Sequence, residues 1–428
     1  MQIEHMPPMN RNGGLDGWLI ALGLGYLSCC GLVYANFITV TVQGYESVLH
    51  LSPQLAGTIT SSNLIGGAVG TLLAVIAGNQ ASRKLTAVAC LLGIVILDVL
   101  SPLVVAPYAL IALRGLHGVL AGSMMGFTAR LLAATSMPER AASLSLLLQA
   151  SIYAVSVYVM PSLLAKMGMA AIFGSMAGLE AVGLLVIALI PVDQILAART
   201  QNGQFTEARP KFSFVALLAC GAYALYEFAR FLIVGFAFNM ADAFAIPIHF
   251  VGLTMAMAGG VSAVAALTAA IIGIRFGRAT VILSVMALRT VFSLAIMATT
   301  GHQAAFAIIV CAQSFFSVLL LPYFWGTCLA LDRSGRLAVA TSFIGHIGLG
   351  MGPMIGGIII NGYGFVTLLI VSTLLGVVSA FLALMPARLT DAERQRENAM
   401  TTLPGRNAHE KLFDIGGEPF AAHLPTRT

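Results

Sequence analysis

Twelve long apolar runs alternate with short polar breaks along this chain. They cover roughly 17–43, 53–78, 85–105, 107–133, 141–165 and 169–191, and then 212–238, 248–274, 279–299, 303–330, 337–360 and 364–386. Crossing the hydrocarbon layer takes about 20 helical residues at about 1.5 Å rise each, and every run reaches that length. The short alternating segments of a membrane β-barrel are absent. The pattern therefore predicts transmembrane helices, the other structure that satisfies its own backbone in lipid. The breaks divide the chain into an N-terminal lead over 1–16, a six-helix unit over 17–191 and a polar linker over 192–211. A second six-helix unit follows over 212–386, and then a tail over 387–428 rich in Arg, Glu, Asn and Pro, which reads as a short disordered end.

Composition points the same way. Of 428 residues, 58% are hydrophobic and only 9% charged, against about 25% charged in a soluble domain. A water-soluble fold this poor in charge could not cover its surface. The first run is too long, and lacks the basic lead, for a cleaved signal peptide. Cys29, Cys30, Cys90, Cys220, Cys311 and Cys328 all fall inside predicted spans with no CxxC pair, so they read as small packing residues rather than metal ligands or disulfides.

The basic residues fix an orientation. With the N-terminus cytoplasmic, the inner side carries Arg11, Arg83, Lys84, Arg140, Arg199, Arg209, Lys211, Arg275, Arg278, Arg333 and Arg336. The tail adds Arg388, Arg394, Arg396, Arg406, Lys411 and Arg427, and the outer loops receive only Lys166. Such sorting requires an even number of spans with both ends inside. The net charge of +5 is then the basic rim of a cytoplasmic membrane face, drawn to anionic lipid, and calls for no nucleic-acid partner.

The chain also repeats itself. Gly78-Asn-Gln-Ala-Ser-Arg83, after span two, has a counterpart in Gly273-Ile-Arg-Phe-Gly-Arg278, after span eight. Pro138-Glu-Arg140, after span four, is answered by Asp332-Arg-Ser-Gly-Arg336, after span ten. Two parallel six-helix repeats around a midplane site is a known transporter plan. Further motifs sit within the spans: Leu113-Arg114-Gly-Leu-His117-Gly118 through Gly122 on span four, and Gly345 through Gly352-Pro353-Met-Ile-Gly356-Gly357 on span eleven.

With these loops and glycine motifs the chain resembles the major facilitator superfamily over about residues 17–386. The aspartate of the family's loop pattern after span two is missing here. The glycine-proline pattern that marks span five in the family's exporters stands on span eleven, while span five offers only Met160-Pro161. The resemblance implies twelve helices in two pseudo-symmetric bundles, with spans one, four, seven and ten around a central cavity. It also implies a monomeric, multi-pass protein of a bacterial cytoplasmic membrane, with both termini cytoplasmic. Its function would be transport of a small solute by alternating access, driven by a proton gradient and needing no bound cofactor or metal. Gly78, Arg83, Gly352, Pro353, Gly356 and Gly357 would serve the conformational change. Close helix packing alone is the competing reading for each glycine.

An ionisable group inside a span is costly and asks for a reason. The candidates are Asp98, Arg114, His117, Arg130, Glu180, Glu227, Arg230, Arg289 and His346. The cavity expectation ranks Arg114, His117, Glu227 and Arg230 first. Glu227 and Arg230 share a helix face: Glu227 could carry the proton while Arg230 holds a substrate carboxylate, or the two could be a permanent structural pair. Arg114 and His117 are candidates for proton coupling, and Arg114 also for binding an anion. Asp98, near the outer end of its span, reads as structural; Glu180 shows no evident partner. Tyr34, Asn36, Tyr223, Tyr226, Gln313, Tyr323 and Trp325 stand on the cavity spans as candidate substrate contacts, with core packing as the alternative for each. Arginines beside aromatics favour an organic or aromatic anion as solute. A proton-driven exporter and a transporter-like sensor are the alternatives. No HExxH, P-loop or GxSxG motif marks an enzyme.

Overall fold

The computed structural model describes residues 15–77, 84–134, 138–192, 195, 214–331 and 336–401. It is helical throughout these, with no strand among the described residues. Span one is two helices, Leu15–Cys30 and Val33–Ser47, joined by a turn at Gly31. Spans two to six are Pro53–Ile76, Lys84–Leu100, Pro107–Ala134, Pro138–Met167 and Met169–Leu189. Spans seven to ten are Phe214–Val234, Ile248–Ile272, Arg278–Ala295 and Gln303–Ala330. A last helical stretch, Arg336–Thr401, breaks at Gly364, where φ is 78°. Gly357 of its first leg lies against Pro53 and Gln54 at one end of the bundle, while Asp391 of its second leg bonds the start of span nine at the other. The stretch thus supplies spans eleven and twelve, and the twelve expected crossings are present. Large apolar side chains such as Ile76, Leu103, Leu185, Leu267, Ile308 and Phe381 face outward, the surface that a bilayer covers.

The pairing of helices repeats. Spans one and five pack together as seven and eleven do, and two with four as eight with ten. Glycine makes the second of these contacts possible. A Cβ on Gly118 would overlap the Asn63 carbonyl, and one on Gly122 the Gly67 carbonyl, so spans two and four meet backbone to backbone. The halves touch each other through two seams, span two on span eleven and span five on span eight. Gly57 meets the Pro353 carbonyl, Gly350 lies 2.9 Å from Ile65, and Gly252 lies 2.8 Å from the Val157 carbonyl, each measured from a Cβ placed on the glycine. Pro353 has no backbone N–H to give to its helix, and the backbone N–H of Met354 after it donates to Ser61 Oγ across the seam at 2.8 Å. Thr39 donates to the Val234 carbonyl (2.8 Å) and Asn239 to Glu46 (3.1 Å). All three cross-half hydrogen bonds, among the described residues, lie toward the end of the bundle that carries Pro53 and Asn239.

At the opposite end, the described part of the tail, residues 387–401, is helix rather than the disordered segment expected from composition; 402–428 lies outside the described residues. Helix continues to Thr401, and the Asp391 carboxylate accepts from the backbone N–H groups of Arg278 (2.9 Å) and Ala279 (3.0 Å). Arg394 donates to the Ile274 carbonyl at 2.6 Å. The tail therefore caps the start of span nine and fastens the second Gly–Arg loop, where φ is positive at Gly273 and Gly277. Losing a carboxylate cap costs about 1 kcal/mol, so Asp391→Ala is expected to lower the thermal midpoint of the purified protein while leaving its helix content unchanged. Gly78 and Arg83, in the first copy of that loop, lie outside the described residues.

Candidate functional site

Six of the nine candidate transmembrane ionisable groups gather in two places. The larger is sealed inside the first half. Arg114 of span four is fully buried; its Nη1 donates to Asp98 Oδ1 of span three at 2.7 Å, and its Nη2 donates to the Leu97 carbonyl (3.1 Å) and to Ser101 Oγ. One turn along span four, His117 Nε2 lies 3.2 Å from the same Asp98 oxygen and 3.7 Å from Glu180 Oε1 of span six. On its other edge His117 Nδ1 sits 2.8 Å from Asn63 Nδ2 of span two, whose amide also donates to the Arg114 carbonyl at 3.1 Å. An amide NH₂ can only donate, so Nδ1 is the acceptor and the ring hydrogen of neutral His117 is on Nε2, between the two carboxylates. The Phe173 ring covers the guanidinium at 4.7 Å, and Tyr34 faces both Arg114 (5.9 Å) and His117 (6.0 Å).

The arrangement gives two of the carboxylates their places. Asp98, read from the sequence as structural, turns inward as the ion-pair partner of Arg114. Glu180, read as lacking an evident partner, has His117 Nε2 3.7 Å away, and both its oxygens are buried with no hydrogen-bond partner. Asn63 and Ser101 were not singled out by the sequence; a neutral amide and a hydroxyl carry no signal until their helix faces are known. Asp98, His117 and Glu180 offer ligand atoms within 4.8 Å of one another. The guanidinium already bonded to Asp98 opposes a multivalent cation there.

The second place is on span seven. Arg230 Nη2 and Nε both bond Glu227 Oε2, at 2.7 and 3.3 Å. The arginine side chain is 23% exposed and the glutamate 5%, so the pair reaches an open edge. Arg230 stacks on Phe231 at 4.6 Å and lies within electrostatic reach of Tyr153 on span five of the other half. Tyr223, one turn before Glu227, rests on Gly345 of span eleven, a contact that no side chain at 345 would allow.

The other candidate contacts divide. Asn36 accepts Ser156 through its carbonyl (3.0 Å), and its side-chain Nδ2 is buried without a partner. Gln313 is half-buried and Trp325 exposed. Tyr226 turns into the second-half core, stacked on Phe324 at 4.7 Å with its hydroxyl donating to the Ser317 carbonyl at 2.6 Å; Tyr323 is packed in the same core. Those two are packing residues in this arrangement. Arg289, fully buried, donates to Ser317 Oγ at 3.0 Å and lies 5.6 Å from the Tyr226 ring. His346 Nδ1 is 2.7 Å from the Ser342 carbonyl, a local bond within its own helix. Gly352 and Gly356 press on span seven, while Pro353 and Gly357 press on span two, so the span-eleven motif touches both halves at once.

No family model and no curated protein matches the sequence itself. Solved structures do match. The crystal structure of the nucleoside transporter NupG aligns with a TM-score of 0.64 at 14% identity, over 86% of this chain and 98% of that one. That of a D-xylose-proton symporter aligns with a TM-score of 0.65 at 15% identity, over 86% and 96%. At such identities the likeness carries the fold: this chain has the twelve-helix major facilitator fold.

Proposed function

We propose that the chain is a secondary transporter that carries a small polar organic solute by alternating access, driven by protons. The observation that carries this reading is the Glu227–Arg230 pair, held at 2.7 Å and partly exposed on span seven, within electrostatic reach of Tyr153 of the other half. Around it, the units 17–191 and 212–386, joined by the linker 192–211, meet through seams built for sliding. Placing the basic loops in the cytoplasm makes the Pro53 end the outer face. The cross-half bonds then close that face in the described conformation; the membrane is a bacterial cytoplasmic one, with both termini inside.

The pair also shifts the expected solute. Arg230 is already neutralised by Glu227 at 2.7 Å, so the site offers paired donors and acceptors rather than a free positive charge. That favours a neutral, hydroxyl-bearing solute, of the nucleoside or sugar kind handled by the two structural neighbours, over the organic anion suggested by the sequence. Tyr223, one turn from Glu227, supplies an apolar face for a ring.

The test is uptake of radiolabelled uridine, D-xylose and benzoate into proteoliposomes, with and without an imposed proton gradient. Gradient-dependent accumulation of uridine or D-xylose supports the reading. Accumulation of benzoate alone would restore the anion, and gradient-driven loss of amphipathic cations would make the chain an exporter. A hydrogen bond to a charged group contributes about 1.5–3 kcal/mol, so Arg230→Ala is expected to raise the KM for the accumulated solute about tenfold or more. An unchanged KM would remove span seven from the binding site.

A further inference from the structure

The sealed cluster of the first half has a charge problem that packing alone does not explain. Asp98 is balanced by Arg114 at 2.7 Å. His117, held neutral by the Asn63 amide, contributes no charge. Glu180 is fully buried, and neither of its oxygens has a hydrogen-bond partner. As a carboxylate it would leave the cluster with one uncompensated negative charge in the membrane, which costs several kcal/mol or more. One added proton brings the total to zero.

The remaining titratable groups around Glu180 do not supply a counter-charge. From span one, Tyr26 donates its hydroxyl to the Leu179 carbonyl at 2.7 Å, Cys30 packs on Gly183, and Tyr34 and Tyr45 are buried. From span three there is Asp98, itself negative, and from span four His117 and Arg114. The guanidinium Nη atoms are spent on Asp98, Leu97 and Ser101.

We propose that Glu180 is the carrier of the coupling proton and that His117 and Asn63 connect it to the motion of the halves; this rests on the transporter reading above. The connection runs along span two. Its Asn63 holds His117, while on its other face Gly57, Ser61 and Ile65 form the seam with span eleven. Opening that seam displaces span two, withdraws the Asn63 amide and frees Nδ1 of His117. Exchange with water then moves the ring hydrogen from Nε2 to Nδ1. Proton release follows: the Glu180 O–H bond breaks as the bare Nε2 takes its proton, Nδ1 gives its hydrogen to water, and hydronium leaves on whichever side is open, with the ring back in its Nε2–H form. In the described conformation the site is sealed and loaded. Glu227 then serves solute binding rather than proton transfer, and the two cargoes occupy different halves.

Infrared spectroscopy of the purified protein in lipid tests this without any solute. A buried protonated carboxylic acid gives a C=O stretching band apart from the carboxylate bands. At neutral pH the wild type is expected to show it, Glu180→Gln to lack it and Glu227→Gln to keep it. His117→Gln is expected to keep the band but to slow its shift in D₂O about tenfold or more. A band that survives in Glu180→Gln, or that vanishes in Glu227→Gln instead, overturns the assignment. Loss of the band when sodium chloride replaces choline chloride at fixed pH would make this a sodium site and overturn it too. In proteoliposomes, Glu180→Gln should still exchange internal for external uridine or D-xylose but lose gradient-driven accumulation. If the wild type accumulates neither solute, the transport reading fails, and the infrared band still decides where the proton sits.

Discussion

Arg114→Ala is expected to lose about 3–5 kcal/mol of stability, the usual result of removing one partner from a buried ion pair. Arg114 and Asp98 are both fully buried, 2.7 Å apart. The guanidinium also donates to Ser101 and to the Leu97 carbonyl, and so ties the end of span three to span four. Truncation leaves three acceptors without their donor and Asp98 with only a neutral histidine. The penalty comes from the stranded charge more than from the lost bond. Asp98→Asn combined with Arg114→Ala should therefore recover a large part of the loss, a non-additivity that a double-mutant cycle reads directly. Thermal unfolding of the purified protein in detergent checks this. Equal midpoints for Arg114→Ala and the wild type would mean that the pair is not held as described.

The other large effect belongs to the seam. Gly57→Leu is expected to open the Pro53 face, because the new side chain would occupy the space of the Pro353 carbonyl and lie 3.3 Å or less from the Phe236 ring. Overpacking costs about 1–3 kcal/mol. Here relief is available by separating the halves, so the cost falls on one conformation only and shifts the population about tenfold or more. A single cysteine placed at Asn239, in a background lacking the native cysteines, reports the change through maleimide labelling. Labelling about ten times faster than in the same reporter with Gly57 intact, together with loss of uptake, is the expected outcome. Unchanged labelling with normal uptake would show that the seam does not gate this face.

The crossings were legible in the sequence because a span needs only length and apolar composition, properties that survive ignorance of the fold. The glycine-proline motif of span eleven was legible for a similar reason, since small residues at helical spacing mark close approach wherever it occurs. The cluster was only half visible. Arg114 and His117 stood out on a span with a family motif, whereas Asp98 and Glu180 sat on spans without one. What joins them is the choice of inward faces on spans two, three, four and six, and nothing local to any of those spans encodes that choice. Tyr226 illustrates the same limit in the other direction. It is next to Glu227 in sequence, but neighbours on a helix lie about 100° apart around the axis, enough to send one to the open edge and the other into the core. The start of the tail, 387–401, was misread from its composition: it is a helix whose Asp391 caps span nine and whose Arg394 bonds the loop before it, and such partners are invisible from the segment alone.

The seam between the halves has a consequence for the conditions under which the molecule works. Its contacts are glycine against backbone carbonyl, three hydrogen bonds and apolar packing; no ion pair among the described residues crosses it. Dissolved salt weakens attraction between exposed charges over about 8–10 Å but leaves backbone contacts of this kind almost untouched. The balance between the two conformations therefore responds to ionic strength mainly through one place, Glu46, whose carboxylate takes the Asn239 bond and feels the exposed Asp242 of the other half, while the glycine contacts on either side of it are indifferent to the salt around the membrane.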